Sequence, residues 1–242
     1  MRATLRRRTM TYDNAQQFWD DFYGERDAVW SGKPNGLLVE GVSGLEVGTA
    51  LDLGAGEGAD AIWLAEQGWA VTAVDISDVA LDRARGHAAG AGADIVGRID
   101  WQQCDLDQGF PEGEFDLVSA QFLHSPMEQP DERVRILRRS SAAVAPGGAL
   151  LIGSHAGWPV WDDGGPDERP SHRSEAMRKV SGGHDHYEFL STAQLLGHLA
   201  LPEQVWTVAL DQEISSPFVS DGRTGTRSDS IVRLHRRSSL VE

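Results

Sequence analysis

Three acidic residues, each closing an apolar run, and one glycine loop carry the chemistry of this sequence. The stretch Ala50-Leu51-Asp52-Leu53-Gly54-Ala55-Gly56-Glu57-Gly58 begins apolar, passes into glycines and leads into an amphipathic run. Gly54, Gly56 and Gly58 lack Cβ, so the loop can take positive φ and let a ligand lie on the main chain. A helix that starts there offers free N–H groups and the positive end of its dipole. Asp52 is the informative departure: a dinucleotide fingerprint reads G-x-G-x-x-G, and here the spacing is D-x-G-x-G-x-G. An acid at a strand end suits a cationic or hydroxyl-bearing ligand better than a pyrophosphate. Asp75 closes a second apolar run, about 20 residues past the loop, where an acid accepts hydrogen bonds from ribose hydroxyls. Its alternative role, capping the next helix, is already served by Ser77. Asp105 closes a third run; a surface acid is the alternative there.

These residues need a scaffold of alternating strands and helices. Helices are expected over residues 13–23, with Asp13 as cap and Gly24 as stop, and over 37–42, 59–67, 78–88, 130–144 and 192–198. Strands are expected at 49–53, 69–75 and 149–153, with 98–106 a strand and its exit and 114–124 a strand and the loop after it. The unbroken apolar character of residues 69–75 suits a parallel strand covered on both faces. Residues 204–210 and 229–236 alternate, as an antiparallel pair joined near Asp221-Gly222 would. Ala145-Pro146-Gly147-Gly148 breaks the helix before the fifth strand. Residues 157–185 form a long polar loop; His184-Asp185-His186 within it lacks metal-site spacing and reads as solvated loop. Trp30, in the polar segment 27–36, is either a core plug or a wall of a cofactor pocket.

The glycine motif resembles the first motif of class I S-adenosylmethionine (SAM)-dependent methyltransferases. Phe115-Asp116-Leu117-Val118 is similar to the family's fourth-strand motif, and the Pro146-Gly147-Gly148 turn into a buried strand to another of its landmarks. With Asp75 and Asp105 these stand in the family's order and span roughly residues 50–153. The resemblance implies an α/β, Rossmann-like three-layer sandwich with a mixed seven-stranded sheet whose last strand is antiparallel. It implies SAM as cofactor and S-adenosylhomocysteine (SAH) as product. The implied cofactor site is Trp30, Asp52, Gly54, Ala55, Gly56, Asp75, Ile76, Cys104, Asp105, Leu106 and Gln121. In it Asp105 meets the adenine amino group, and Cys104 and Leu106 frame the ring.

Methyl transfer from a sulfonium is an in-line displacement, so orientation and exclusion of water are most of the protein's task. A base is needed only where the acceptor carries a proton. His124 is the first candidate for that role or for acceptor contact, and His155 the second; a polar loop histidine is the alternative for each. The Trp-Ser-Gly entry and the run Glu57-Gly58-Ala59-Asp60-Ala61 look most like the bacterial tellurite-resistance and thiopurine methyltransferase-like branch, whose members methylate soft, small acceptors. The 157–185 loop and the C-terminal helix match that branch poorly. The acceptor therefore stays open among a thiol, a chalcogen oxyanion and a natural-product O or N nucleophile. Two other classes compete: a SAM-binding module without catalysis, and a nicotinamide oxidoreductase, whose fingerprint is missing.

The 242 residues suit one domain: a helical cap (1–45), a SAM-binding core (50–153), a substrate-side loop (154–190) and a C-terminal helix with a strand pair (191–242). A formal net charge of −15 argues against nucleic acid and anionic membrane partners. No apolar run approaches the ~18 residues of a membrane span. The basic segment Arg2–Arg8 has no apolar run behind it, so it does not read as a signal peptide. The single cysteine, Cys104, suits a reducing cytoplasm. Oligomeric state is not written in the sequence.

Overall fold

The computed structural model describes residues 12–25, 27–164, 189–220 and 222–238. The basic N-terminal segment and His184-Asp185-His186 lie outside them. Strands β1 (Thr49–Leu53), β2 (Ala70–Asp75), β3 (Ile99–Gln103), β4 (Phe115–Gln121) and β5 (Val144–His155) lie parallel in the order β3-β2-β1-β4-β5. Two-residue β6 (Val160–Trp161) and the long hairpin of β7 (Trp206–Ser220) and β8 (Arg223–Arg236) complete the sheet. β8 runs antiparallel to β5, β6 and β7.

The described sheet thus has eight strands rather than the seven expected. The extra one, β6, pairs with Thr226 and Gly225; a Cβ on Gly225 would collide with the Val160 carbonyl. The hairpin arms are also longer than their alternating cores suggested, and β7 contains Pro217. On the edge strand β7 the missing N–H costs nothing.

Helices flank both faces. On one lie α2 (Gly36–Gly41) and α3 (Ala59–Glu66), over a core that includes Leu38, Leu64, Leu117 and Leu151. On the other, α6 (Glu132–Ala142) and α7 (Thr192–Leu199) cover Leu53, Val118, Leu150 and Val232. α7 opens on the expected capping box of Ser191 and Gln194. Between β2 and β3 run α4 (Asp78–Ala91), capped by Ser77 as expected, and a short α5 (Ala93–Val96) that the sequence did not announce. α1 (Ala15–Gly24) is capped by Asn14, whose side chain accepts from Gln17 N at 2.8 Å, and not by Asp13. Its Phe22 and Tyr23 pack on Ala80 of α4.

Pro146-Gly147-Gly148 does not end before the fifth strand but forms an irregularity inside β5, where the pairing jumps from Phe115–Val144 to Leu117–Ala149. Glycine is required there: a Cβ on Gly148 would stand 2.8 Å from the Asp116 carbonyl.

Candidate functional site

Side chains alternate along a strand, so the residues that follow a core position by two share its face. Ala50, Ala73, Leu117, Leu151 and Ile231 belong to the core beneath α2 and α3. Continuing each register toward the strand tips reaches Asp52, Asp75, Ser119 and Gln121, and then His155 and Asp229, which pair across β5 and β8. An apolar face therefore turns polar along one edge. All of these but His155 are buried. That edge is the carboxyl end of the parallel strands. The order reverses between β1 and β4, the switch point where open α/β sheets take their ligands.

The glycine loop leaves β1 with Gly54 N and Ala55 N both bonded to the Val74 carbonyl at 2.9 Å. Gly54, Gly56 and Gly58 have φ of 73°, 54° and 85°, so the loop has the left-handed backbone that its glycines permit. Gly56 N donates to Asp75 Oδ2 at 2.8 Å, and Ser77 N to Asp75 Oδ1 at 2.9 Å. Burial pushes the Asp75 carboxyl up to about 6, against the opposing pull of these two amides. Asp52 lies deeper. Its Oδ2 is buried with no partner among the described residues. Burial, with Asp60 and Asp75 nearby, holds its carboxyl well above the usual carboxylate range.

Two acids of the loop and first helical turn do work that the sequence did not reveal. Glu57 accepts from Val29 N at 3.1 Å and Trp30 N at 2.9 Å, and pairs with Arg83 at 2.8 Å. Asp60 accepts from Asn35 N and Asn35 Nδ2, both at 2.7 Å. The segment 27–36 is thereby pinned onto the glycine loop. Trp30 is 53 % exposed, so it is not a core plug. Its Nε1 donates to Tyr23 Oη at 3.2 Å, and both atoms stand over Gly56, 3.5 and 2.9 Å from where a Cβ would be. Tyr23 was missed because only its helix, and not its position over the loop, is written in the local pattern.

At the tip of β3, Cys104 N donates to the Asp75 carbonyl and Gln103 Nε2 to the Ile76 carbonyl, which ties Ile76 to this strand. Asp105 Oδ1 caps its own turn through Asp107 N at 3.0 Å. Leu106 joins the core on the α6 side, with Cys104 packed against it. At the tip of β4, Gln121 Nε2 donates to Ser119 Oγ, while Gln121 Oε1 is buried without a partner among the described residues. Phe122 then takes φ of 52°, a left-handed conformation that costs a non-glycine residue on the order of 1–2 kcal/mol. This sharp turn lays Leu123 within 2.9 Å of the Cβ position of Gly54 and sets His124 5.7 Å, centroid to centroid, from His155. His155 Nδ1 lies 2.7 Å from Asp229 Oδ1.

The residues present fit an adenosyl sulfonium. Asp52 Oδ2 is a buried oxygen without a partner among the described residues that a cationic group would satisfy, Asp75 would accept from hydroxyls, and Gly56 places no side chain of its own between them. Among the described residues no group of three His, Cys, Asp or Glu could hold a metal ion. No described helix is long and apolar enough to cross a membrane.

Comparison with known proteins agrees. Residues 50–148 match the family model of the methyltransferase domain. No curated protein matches the chain. A solved structure described by the words "conversion of a disulfide bond into a thioacetal group during echinomycin biosynthesis" is 23% identical, with a TM-score of 0.65 and 94% of each chain covered. TehB from Haemophilus influenzae is 15% identical at a TM-score of 0.60, over 90% of this chain and 67% of its own. The N-methyltransferase NodS from Bradyrhizobium japonicum WM9, in complex with SAH, is 17% identical at a TM-score of 0.60, over 93% and 99%. The chain has the class I SAM-dependent methyltransferase fold, and its residues 50–148 are similar to a methyltransferase domain.

Proposed function

We propose that this protein transfers a methyl group from SAM to a small-molecule acceptor, a thiol, a chalcogen oxyanion or an O or N nucleophile of a natural product. The observation that carries the reading is the pair Asp52 and Asp75 on one sheet face, flanking a loop whose three glycines have left-handed backbone. Asp52 Oδ2 would take the ammonium of the cofactor, which supplies the partner that its burial lacks. Asp75 would take the ribose hydroxyls while still holding the Gly56 amide. Ile76, Cys104, Asp105 and Leu106 would border the adenine, and Ala55 and Gln121 the middle of the crevice. Trp30 and Tyr23 would close it from above and keep water out.

When bound, SAM supplies an activated methyl on a sulfonium. What remains to the chain is to hold the acceptor in line beyond the post-β4 loop, where His124 stands. The similarity to TehB and NodS supports a small acceptor without choosing one. The absence of a membrane-spanning helix among the described residues, the acidic charge and the lone cysteine support a cytoplasmic location.

The test is SAH formation, followed by mass spectrometry, with a panel of thiols, phenols, amines and chalcogen oxyanions. Methylated product supports the reading. SAM binding with no turnover across the panel would instead make the chain a SAM-binding module.

A further inference from the structure

His155 and Asp229 face each other across β5 and β8 at the acceptor end of the site. Their side chains meet at 2.7 Å, from Nδ1 to Oδ1. Asp229 is 5% exposed, and its other oxygen, Oδ2, takes Arg227 Nε at 2.9 Å. A carboxylate paired with a guanidinium accepts and does not donate, so Nδ1 of His155 carries the proton. The lone pair of the neutral ring is then on Nε2, which bonds no described residue. The His155 side chain is 29% exposed, enough for a second molecule to reach it. Phe122 packs on the ring at 4.5 Å and His124 at 5.7 Å, so the post-β4 loop that touches Gly54 through Leu123 also touches the histidine. A buried acid that fixes one nitrogen and leaves the other bare is the arrangement of an oriented general base.

Resting on the methyltransferase reading above, we propose that His155 is the general base for the acceptor, that Asp229 positions it, and that the acceptor's nucleophilic atom carries a proton at neutral pH, a phenol being the simplest case. His155 Nε2 takes the hydroxyl proton. The acceptor oxygen keeps the O–H electron pair and bonds the methyl carbon with it. The carbon–sulfur pair departs onto sulfur, leaving neutral SAH, and the imidazolium held by Asp229 returns its proton to water. A soft anion such as tellurite or a thiolate has no proton to give up and no use for this dyad.

The test has three readouts on the full-length protein. Calorimetry with SAH comes first. Nitrogen-15 shifts of the histidine rings come second, in the wild type and in Asp229→Asn. The third is turnover of phenol, thiophenol and tellurite by the wild type and by His155→Gln. The proposal expects SAH binding that changes less than twofold in either variant. It expects His155 as the Nδ1–H tautomer, lost in Asp229→Asn. It expects the phenol-to-thiophenol turnover ratio to fall about 100-fold or more in His155→Gln, with kcat and not KM carrying the loss. An Nε2–H tautomer in the wild type, an unchanged ratio, or turnover limited to thiophenol and tellurite overturns the dyad while leaving the methyltransferase reading intact. Turnover of no probe by a protein that binds SAH also overturns it. Failure of the wild type to bind SAH removes the cofactor reading and the dyad's task with it.

Discussion

The amide of Gly56 and the carboxylate of Asp75 form one unit, joined by a 2.8 Å hydrogen bond across 19 residues of sequence. The glycine loop and the acid proposed to receive hydroxyls are thus set against each other before any ligand arrives. Preorganisation of this kind saves the ordering that a mobile site would require on binding.

Asp75→Ala is expected to weaken SAH binding by on the order of 1.5–3 kcal/mol, roughly 10- to 150-fold in Kd, as charge-assisted hydrogen bonds are lost. Calorimetry of wild type and variant checks this, and an unchanged Kd would remove Asp75 from the site.

The pH dependence follows from the same group. Burial holds Asp75 at about 6 in the free protein, above its ordinary 3.8, so below about 6 the folded chain holds a proton there. Donated hydroxyls favour the ionised form, so SAH affinity rises as pH rises through about 6, by at most tenfold per pH unit from one group, and binding releases a proton. The sign for folding is the reverse. The stability from this raised acid is fully present below 3.8 and is lost as pH climbs to about 6. Asp75→Asn flattens both slopes. Titrations in buffers of different ionisation enthalpy measure the proton.

Glu57 is the pin of the cap. Glu57→Gln keeps the shape and removes the charge that holds Val29 N, Trp30 N and Arg83. The expected outcome is faster hydrogen exchange at the Val29 and Trp30 amides, together with weaker SAH binding, because Trp30 and Tyr23 lose their place over Gly56. Unchanged exchange would show that packing alone holds the segment.

Gly58 has φ of 85°, and a Cβ there would stand 2.6 Å from the Trp101 ring and 2.8 Å from Ala84 Cβ. Gly58→Ala combines left-handed strain with overpacking. It is expected to lower unfolding stability by about 2–4 kcal/mol in denaturant titrations.

The alternation of strands and helices and the acids at the strand tips were legible because each is written in a local pattern. Asp75 and Ser77 show the limit. The sequence suggested that they divide ribose binding and capping, and the structure has Asp75 bonding Gly56 and the Ser77 amide as well. What stayed hidden depends on contacts between distant segments. Glu57 meets its partners 27 and 28 residues upstream, and Asp229 meets His155 from 74 residues away. Phe122 in left-handed backbone gave no signal, since neither glycine nor asparagine marks the turn. The two-residue β6 is too short to show alternation.

The central claim is that the glycine loop at Gly56, between Asp52 and Asp75, is a cradle for an adenosyl sulfonium. Calorimetric titration of the wild-type chain with SAM, SAH and NADH tests it most directly. The account predicts a single site for SAM and SAH, weakened by Asp52→Ala and by Asp75→Ala, with NADH binding far more weakly. Tighter binding of NADH, or no binding of SAM and SAH, would contradict it.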